Sequence, residues 1–313
     1  MFVLNNVNQM TNYPLVSIVV VTYNSSKHVL ETLESVKDQT YPNLELIITD
    51  DCSTDNTVEI CSEWLEKNQT RFNGVQLITS GINTGITANR NRGNFAATGE
   101  WIKHVDGDDR LHPSCVKDYV KYVSVNPTKN MVFSPLSVLG EGDLERWRTL
   151  LHSNFEYAFS LSPRDFKILL CKICLFPAPS LFINAEYFRQ VGGYDESIRD
   201  LEDWPFWVKT AFNGAQFGYI DTPEVDYRIS TSSLSQSVGG VSPRYQEALR
   251  QVEKKTIGYM RKISCLYALD GFLAYKNKYE RNPFWILLSY IRLLNPYFWK
   301  ARRLYSNYKM FNL

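Results

Sequence analysis

Two rhythms of hydrophobic residues alternate along this chain. Residues 15–22 and 44–49 are continuous runs rich in Val and Ile, the pattern of strands buried on both faces of a parallel sheet. Between them, residues 28–39 place Val29, Leu33 and Val36 at helical spacing behind a polar turn at Asn24-Ser25-Ser26. The alternation continues with a helix over 56–67 and a strand over 75–79. After the loop Gly81-Ile82-Asn83-Thr84-Gly85 come a helix over 87–97 and a strand over 101–105. This order, β-α-β-α-β-α-β, predicts an α/β fold with a Rossmann-like, doubly wound, mostly parallel sheet. Ligands of such sheets bind at the carboxyl ends of the strands. Thr22-Tyr23-Asn24, Asp50-Asp51 and Asp106-Gly107-Asp108-Asp109 all fall at such ends, so three polar clusters distant in sequence are expected to share one crevice.

Farther along, the pattern predicts a helix over 113–126, a strand over 131–139, a loop entering a strand over 176–183 and a helix over 203–212. Beyond Ser242 the composition shifts. Residues 244–275 read as one long helix of mixed charge, and 283–313 are aromatic and basic. The expected division is 14–242 as the main unit and 243–313 as a helical C-terminal extension.

Composition adds bounds to this picture. A chain of 313 residues with 44% hydrophobic content can bury one large domain with a smaller attachment. A formal net charge of +1 gives no reason to expect a nucleic-acid partner. The cysteines show no disulfide spacing, and Cys171-x-x-Cys174 reads as reduced thiols on a helix over 169–176. His28, His104, His112 and His152 form no metal-ligand spacing and are expected in structural or surface roles. Residues 1–13 lack the pattern of a signal peptide, and no stretch reaches the roughly 20 apolar residues of a bilayer span. A cytoplasmic protein is expected.

The densest chemistry lies in Asp106-Gly107-Asp108-Asp109. Three carboxylates in four residues repel one another unless a cation offsets them. All-oxygen ligands favour Mg²⁺ or Mn²⁺ over zinc, and such ions bridge carboxylate and diphosphate. Tyr23 can lie against a flat base, and Asp51 can accept a hydrogen bond from a uracil N–H.

Several blocks, in order, resemble the inverting family 2 glycosyltransferases of the GT-A fold. They are Pro14-Leu15-Val16-Ser17 through Thr22-Tyr23-Asn24, Glu45 through Asp55, Asn83-Thr84-Gly85 with Arg90-Asn91-Arg92-Gly93, Asp106-Gly107-Asp108-Asp109, Gly192-Gly193-Tyr194-Asp195-Glu196 and Glu202-Asp203-Trp204. The resemblance implies a hexosyltransferase that moves glucose or galactose from a UDP-sugar donor to a glycan or lipid-linked glycan acceptor. It implies that Thr22, Tyr23, Asn24, Asp51, Arg90 and Asp106 bind the nucleotide, with Asp50 as an orienting or capping residue and Arg92 at the surface. Asp108, with Asp106 and Asp109, would hold Mn²⁺ or Mg²⁺. Asp203 would be the general base, with Glu202 as its competitor. Relatives of this type and length build O-antigen, capsule, lipopolysaccharide or exopolysaccharide on undecaprenyl diphosphate. The protein is therefore expected in the cytoplasm or at the inner face of the bacterial inner membrane, with 283–313 either an interfacial contact or a helix pair that packs its aromatics on the main unit. Where the family often has His after a Tyr-Arg pair, this chain has Ser230 after Tyr227-Arg228-Ile229, which breaks the late block. Rival classes are a processive polysaccharide synthase, whose membrane spans and Gln-x-x-Arg-Trp block are not found here, a nucleotidyltransferase, whose early Gly-rich loop is missing, and a non-catalytic carbohydrate-binding protein, which needs no ordered set of carboxylates.

Overall fold

The computed structural model describes residues 13–140, 154–229, 242–280 and 282–307. The expectations for His152, Ser230 and the far end of the tail lie outside these residues. The first half runs β1 (Val16–Thr22), α1 (Val29–Lys37), β2 (Leu44–Asp50), α2 (Thr57–Asn68), β3 (Gly74–Thr79), α3 (Ile86–Ala96) and β4 (Trp101–Asp106). Then follow β5 (Arg110–Leu111), α4 (Cys115–Val125), β6 (Met131–Phe133), β7 (Leu136–Gly140), α5 (Pro163–Leu170), β8 (Leu181–Asn184), α6 (Ala185–Gln190), α7 (Asp203–Phe212), β9 (Phe217–Tyr219) and β10 (Val225–Ile229). The chain continues as helices α8 (Pro243–Ile263), α9 (Cys265–Tyr279), α10 (Pro283–Ser289) and α11 (Pro296–Asn307).

The central sheet has the order β3-β2-β1-β4-β8-β6-β9. Strands β1 to β4 are parallel, and β8 runs antiparallel to both of its neighbours. Every residue of β1 and β2 is buried. Their continuous β-branched runs are needed because helices cover both faces. Alternation decides which core each side chain joins: Ile18, Val20, Leu46 and Ile48 pack with Val29 and Leu33 of α1, while Val19, Val21 and Ile47 face the opposite core with Phe206 and Trp207 of α7. Each such side chain contributes about 1.5–3 kcal/mol by burial.

Register brings the polar clusters to one edge. Thr22 lies opposite Asp50, Val21 opposite Asp106, and Asp50 opposite Thr79. A second, three-stranded sheet has the order β5-β10-β7, so β10 pairs with the strand that begins directly after Asp109.

Two expected elements are broken. The strand over 131–139 splits at Ser134-Pro135, and its halves enter different sheets. Pro135 has no N–H for a ladder, and Ser134 turns inward to accept a 2.8 Å hydrogen bond from the Tyr119 hydroxyl. The helix over 244–275 breaks at Ser264, whose backbone is extended at φ −168° and whose hydroxyl accepts from the Leu266 N–H to start α9. The Cys171-x-x-Cys174 pair lies past the end of α5 rather than within a helix over 169–176. Among the described residues, no helix is long and apolar enough to cross a membrane.

Candidate active site

The loops at the carboxyl ends of β1 and β2 are tied to each other. Asn24 and Cys52 both take left-handed backbone conformations, at φ 50° and 65°. The cost of these turns is offset by side chains that bond across them. The Asn24 amide oxygen accepts from the Thr54 N–H at 2.8 Å, and the Ser53 hydroxyl accepts from the Asn24 N–H at 2.8 Å. Asp50 accepts from the Ser53 N–H and from the Thr22 hydroxyl, both at 2.8 Å. Thr22 and Asn24 thus shape the edge, and Tyr23 is the one of the three whose ring stands open, at 51% exposure. Asp51 is buried and clamps the loop before α3: its Oδ1 accepts from the Thr84 N–H at 3.0 Å, and its Oδ2 from the Gly85 N–H at 2.7 Å. Gly85 is required there, because its φ is +93° and a Cβ would collide with Arg199. Arg92 departs from its expected surface position. It is tied to the Asn89 amide oxygen at 2.7 Å and the Thr84 hydroxyl at 2.9 Å, with the Asp51 carboxylate 3.7 Å away.

The acid loop is held from the small sheet. The Arg228 N–H donates to Asp109 Oδ1 at 2.8 Å, its Nε donates to the Asp108 carbonyl at 2.8 Å, and its Nη2 reaches Glu31 at 2.7 Å. Asp109 is buried, and its Oδ2 has no hydrogen-bond partner among the described residues. Burial, then the charges of Asp108 and Asp106, push Asp109 well above the usual carboxylate range. Burial and Asp106 raise Asp108 to about 6. These are the marks of a cluster short of positive charge. Among the described residues, no group of three or more His, Cys, Asp or Glu is arranged to close around a metal ion.

Arg90 is turned inward rather than toward an open crevice. It is 1% exposed, its Nη2 donates to Asp106 Oδ1 at 2.7 Å, and its Nε lies 3.1 Å from Glu202 Oε1. One guanidinium therefore bridges the acid loop and the start of α7. Glu202 is buried at the cap position of α7, and its charge is taken up by Arg90. Asp203, the first residue of α7, is only half-buried. Its Oδ1 accepts from the Trp204 N–H at 2.6 Å, and its Oδ2 accepts from the Cys174 thiol at 3.4 Å. Burial and the neighbouring Glu202 push Asp203 up to about 7. Arg90 thus ties the acid loop to the start of α7, and the Tyr227 phenol is raised well above its ordinary value by burial and then by the charges of Asp109, Asp108, Asp106 and Asp203.

Three contributors take roles that the sequence blocks do not assign: Arg228 as the lock on the acid loop, Thr84-Gly85 as the clamp on Asp51, and Cys174 beside Asp203. The Tyr227-Arg228 pair was the only local signal for the first. His104 is buried against the Asn94 amide, with its ring nitrogen 2.8 Å from the amide oxygen, and His112 pairs with Asp226 at 3.0 Å, so both are structural.

Comparison with known proteins gives the family and the fold. Residues 17–191, more than half of the chain, match Glycosyl transferase family 2. A Bacillus subtilis protein named as a teichuronic acid biosynthesis glycosyltransferase, TuaG, is 39% identical over 257 residues, covering 82% of this chain and 95% of that one. The poly(ribitol-phosphate) beta-N-acetylglucosaminyltransferase TarS of Staphylococcus aureus is 25% identical over 294 residues, covering 86% of this chain and 48% of the relative. The chain spans 61% of the length of a Haemophilus influenzae glycosyltransferase to which it is 28% identical. Among solved structures, S. aureus TarS in complex with UDP-GlcNAc superposes with a TM-score of 0.62 at 19% identity, covering 94% of this chain and 89% of that one. The chain belongs to glycosyl transferase family 2, and its fold is the mixed α/β arrangement of those neighbours with a helical C-terminal region.

Proposed function

We propose that this chain transfers a hexose, glucose or galactose, from a UDP-sugar to a hydroxyl of a cell-envelope glycan, with inversion and with Mn²⁺ or Mg²⁺ as cofactor. Residues 14–242 are the donor-binding and catalytic unit, and 243–313 are its helical extension. The acceptor is a lipid-linked sugar at the cytoplasmic face of the membrane, in O-antigen or capsule assembly or in a wall polymer of the kind that TuaG and TarS are named for. The observation that carries this reading is the Arg90 bridge, which joins Asp106 of the acid loop to Glu202 at the start of α7 and leaves the adjoining Asp203 carboxylate half-buried and without a paired cation among the described residues.

The chemistry follows from that arrangement. The acceptor oxygen attacks the anomeric carbon as the bond to the diphosphate breaks, and the electron pair leaves on UDP. Asp203 takes the hydroxyl proton as the oxygen attacks. Tyr23 offers its open ring to the base, and the remaining lone pair of Asp51 Oδ2 accepts from the uracil N–H. Asp108 and the unpartnered Oδ2 of Asp109 fit a divalent cation, with Asp106 beside them. Bound there, the cation would offset charge on the leaving diphosphate. Screening UDP-sugars for UDP release is the test. We expect release with one hexose donor, lost on chelation and restored by Mn²⁺ or Mg²⁺. No release from any UDP-sugar would remove the proposal.

A pH dependence follows too. Because Asp203 must be ionised to take a proton and sits near 7, kcat/KM rises with pH through about 7 and falls on acidification. The Cys174 thiol favours the charged form, so Cys174→Ala moves that acid limb upward by about half to one unit, and Cys174→Ser restores it. A limb that stays fixed in both variants would separate the thiol from the base.

A further inference from the structure

The aromatic, basic tail is two structures. Residues 281–313 carry six Lys and Arg and no Asp or Glu. The last described helix, α11, packs on the body: Ala301 and Leu304 are buried, the Leu304 carbonyl accepts from the Tyr157 hydroxyl at 3.1 Å, and Lys300 pairs with Asp165. Helix α10 and the 3₁₀ turn Tyr290–Leu294 behave differently, for neither buries a single residue. Leu287 is 69% and Leu294 86% exposed.

This segment lies on the outer face of α9 and extends it. The Phe272 and Trp285 rings meet edge to face at 5.7 Å, and Arg292 Nε bonds the buried Asp270 of α9 at 2.7 Å. Leu266, Leu269 and Phe272 of α9 are exposed on the same side. The result is a fixed apolar platform larger than the scattered apolar residues of an ordinary surface. Its rim is cationic. Arg302 lies over the half-exposed Trp299 ring at 5.8 Å, and Arg303 is exposed next to it.

We propose that this platform rests on an anionic lipid surface. Phe284, Leu287, Tyr290 and Leu294 enter the boundary between headgroups and acyl chains, and the arginines stay among the headgroups. Charge favours this occupant over a second copy of the chain: Arg292 and Lys300 are neutralised by Asp270 and Asp165, which leaves the exposed Arg302 and Arg303 as cations suited to anionic headgroups. The inference deepens the lipid-linked acceptor reading and rests on it for its biological sense, but its test does not use that acceptor. It also reshapes the contact expected from sequence: α9 joins it, while α11 is anchored to the body and adds only its exposed Trp299, Arg302 and Arg303.

The experiment is co-sedimentation of the full chain with vesicles of phosphatidylcholine alone or mixed with phosphatidylglycerol. We expect binding to the mixed vesicles that weakens with salt and drops at least about tenfold in Leu287→Asp/Leu294→Asp and in Arg302→Glu/Arg303→Glu. The substituted side chains are exposed, so unchanged circular dichroism and unchanged UDP release from the donor are expected alongside. Donor turnover with no vesicle binding would overturn this inference and leave the proposed activity standing. Equal binding by both variants would also overturn it, as would a wild-type dimer in light scattering that the leucine variant dissolves without any vesicle binding.

Discussion

Asp203→Asn is expected to bind UDP as tightly as the unaltered protein and to lose about 10²–10⁴ of its transfer rate, the contribution of a well-placed general base. The amide is isosteric with the acid and can still accept from the Trp204 N–H, so the local structure should persist. What it loses is affinity for a proton. Glu202 cannot take over, because it is buried and held 3.1 Å from the Arg90 guanidinium. Calorimetric UDP binding together with single-turnover transfer separates the outcomes. Unchanged turnover would remove Asp203 from the role of base. Lost UDP binding would make the residue structural.

Arg90→Met should have the largest effect on stability. The substitution leaves two carboxylates, Asp106 and Glu202, without the cation that both face across a buried contact. Breaking such a pair from one side costs about 3–5 kcal/mol, which a urea midpoint would register. Arg90→Lys should rescue little, since a single ammonium cannot span two carboxylates as the planar guanidinium does. Adding Asp106→Asn and Glu202→Gln to Arg90→Met should recover part of the loss, because the stranded charges are then gone. If instead Arg90→Met kept full stability and lost UDP affinity, the guanidinium would be facing the nucleotide, as the family resemblance alone suggests.

These predictions differ in how far the sequence could reach them. The position of Asp203 is legible, since it stands beside Trp204 at the start of an apolar helix and in a recognisable block. The inward turn of Arg90 is not. On α3 the helical pattern gives little indication of which polar residue points inward, since Asn89, Arg90, Asn91 and Asn94 are all buried. Helix α3 is buried through polar pairing rather than through an apolar stripe, and hydrophobic periodicity does not report such burial.

The order of strands and helices in the first half, and the arrival of Thr22, Asp50 and Asp106 at one sheet edge, are written in the local hydrophobic pattern. A strand sealed on both faces needs an unbroken β-branched run, and such a run reveals its own ends. The partners of these groups come from long-range packing. Arg228 locks Asp109 across 119 positions, and the Cys174 thiol reaches Asp203 across 29. Packing alone also separates the exposed platform of α10 from the packed helix α11, although both lie in one aromatic, basic stretch. Periodicity records which face of an element is covered by its own pattern, whereas a buried charge is placed by whatever distant group neutralises it, and that group leaves no mark in the local sequence.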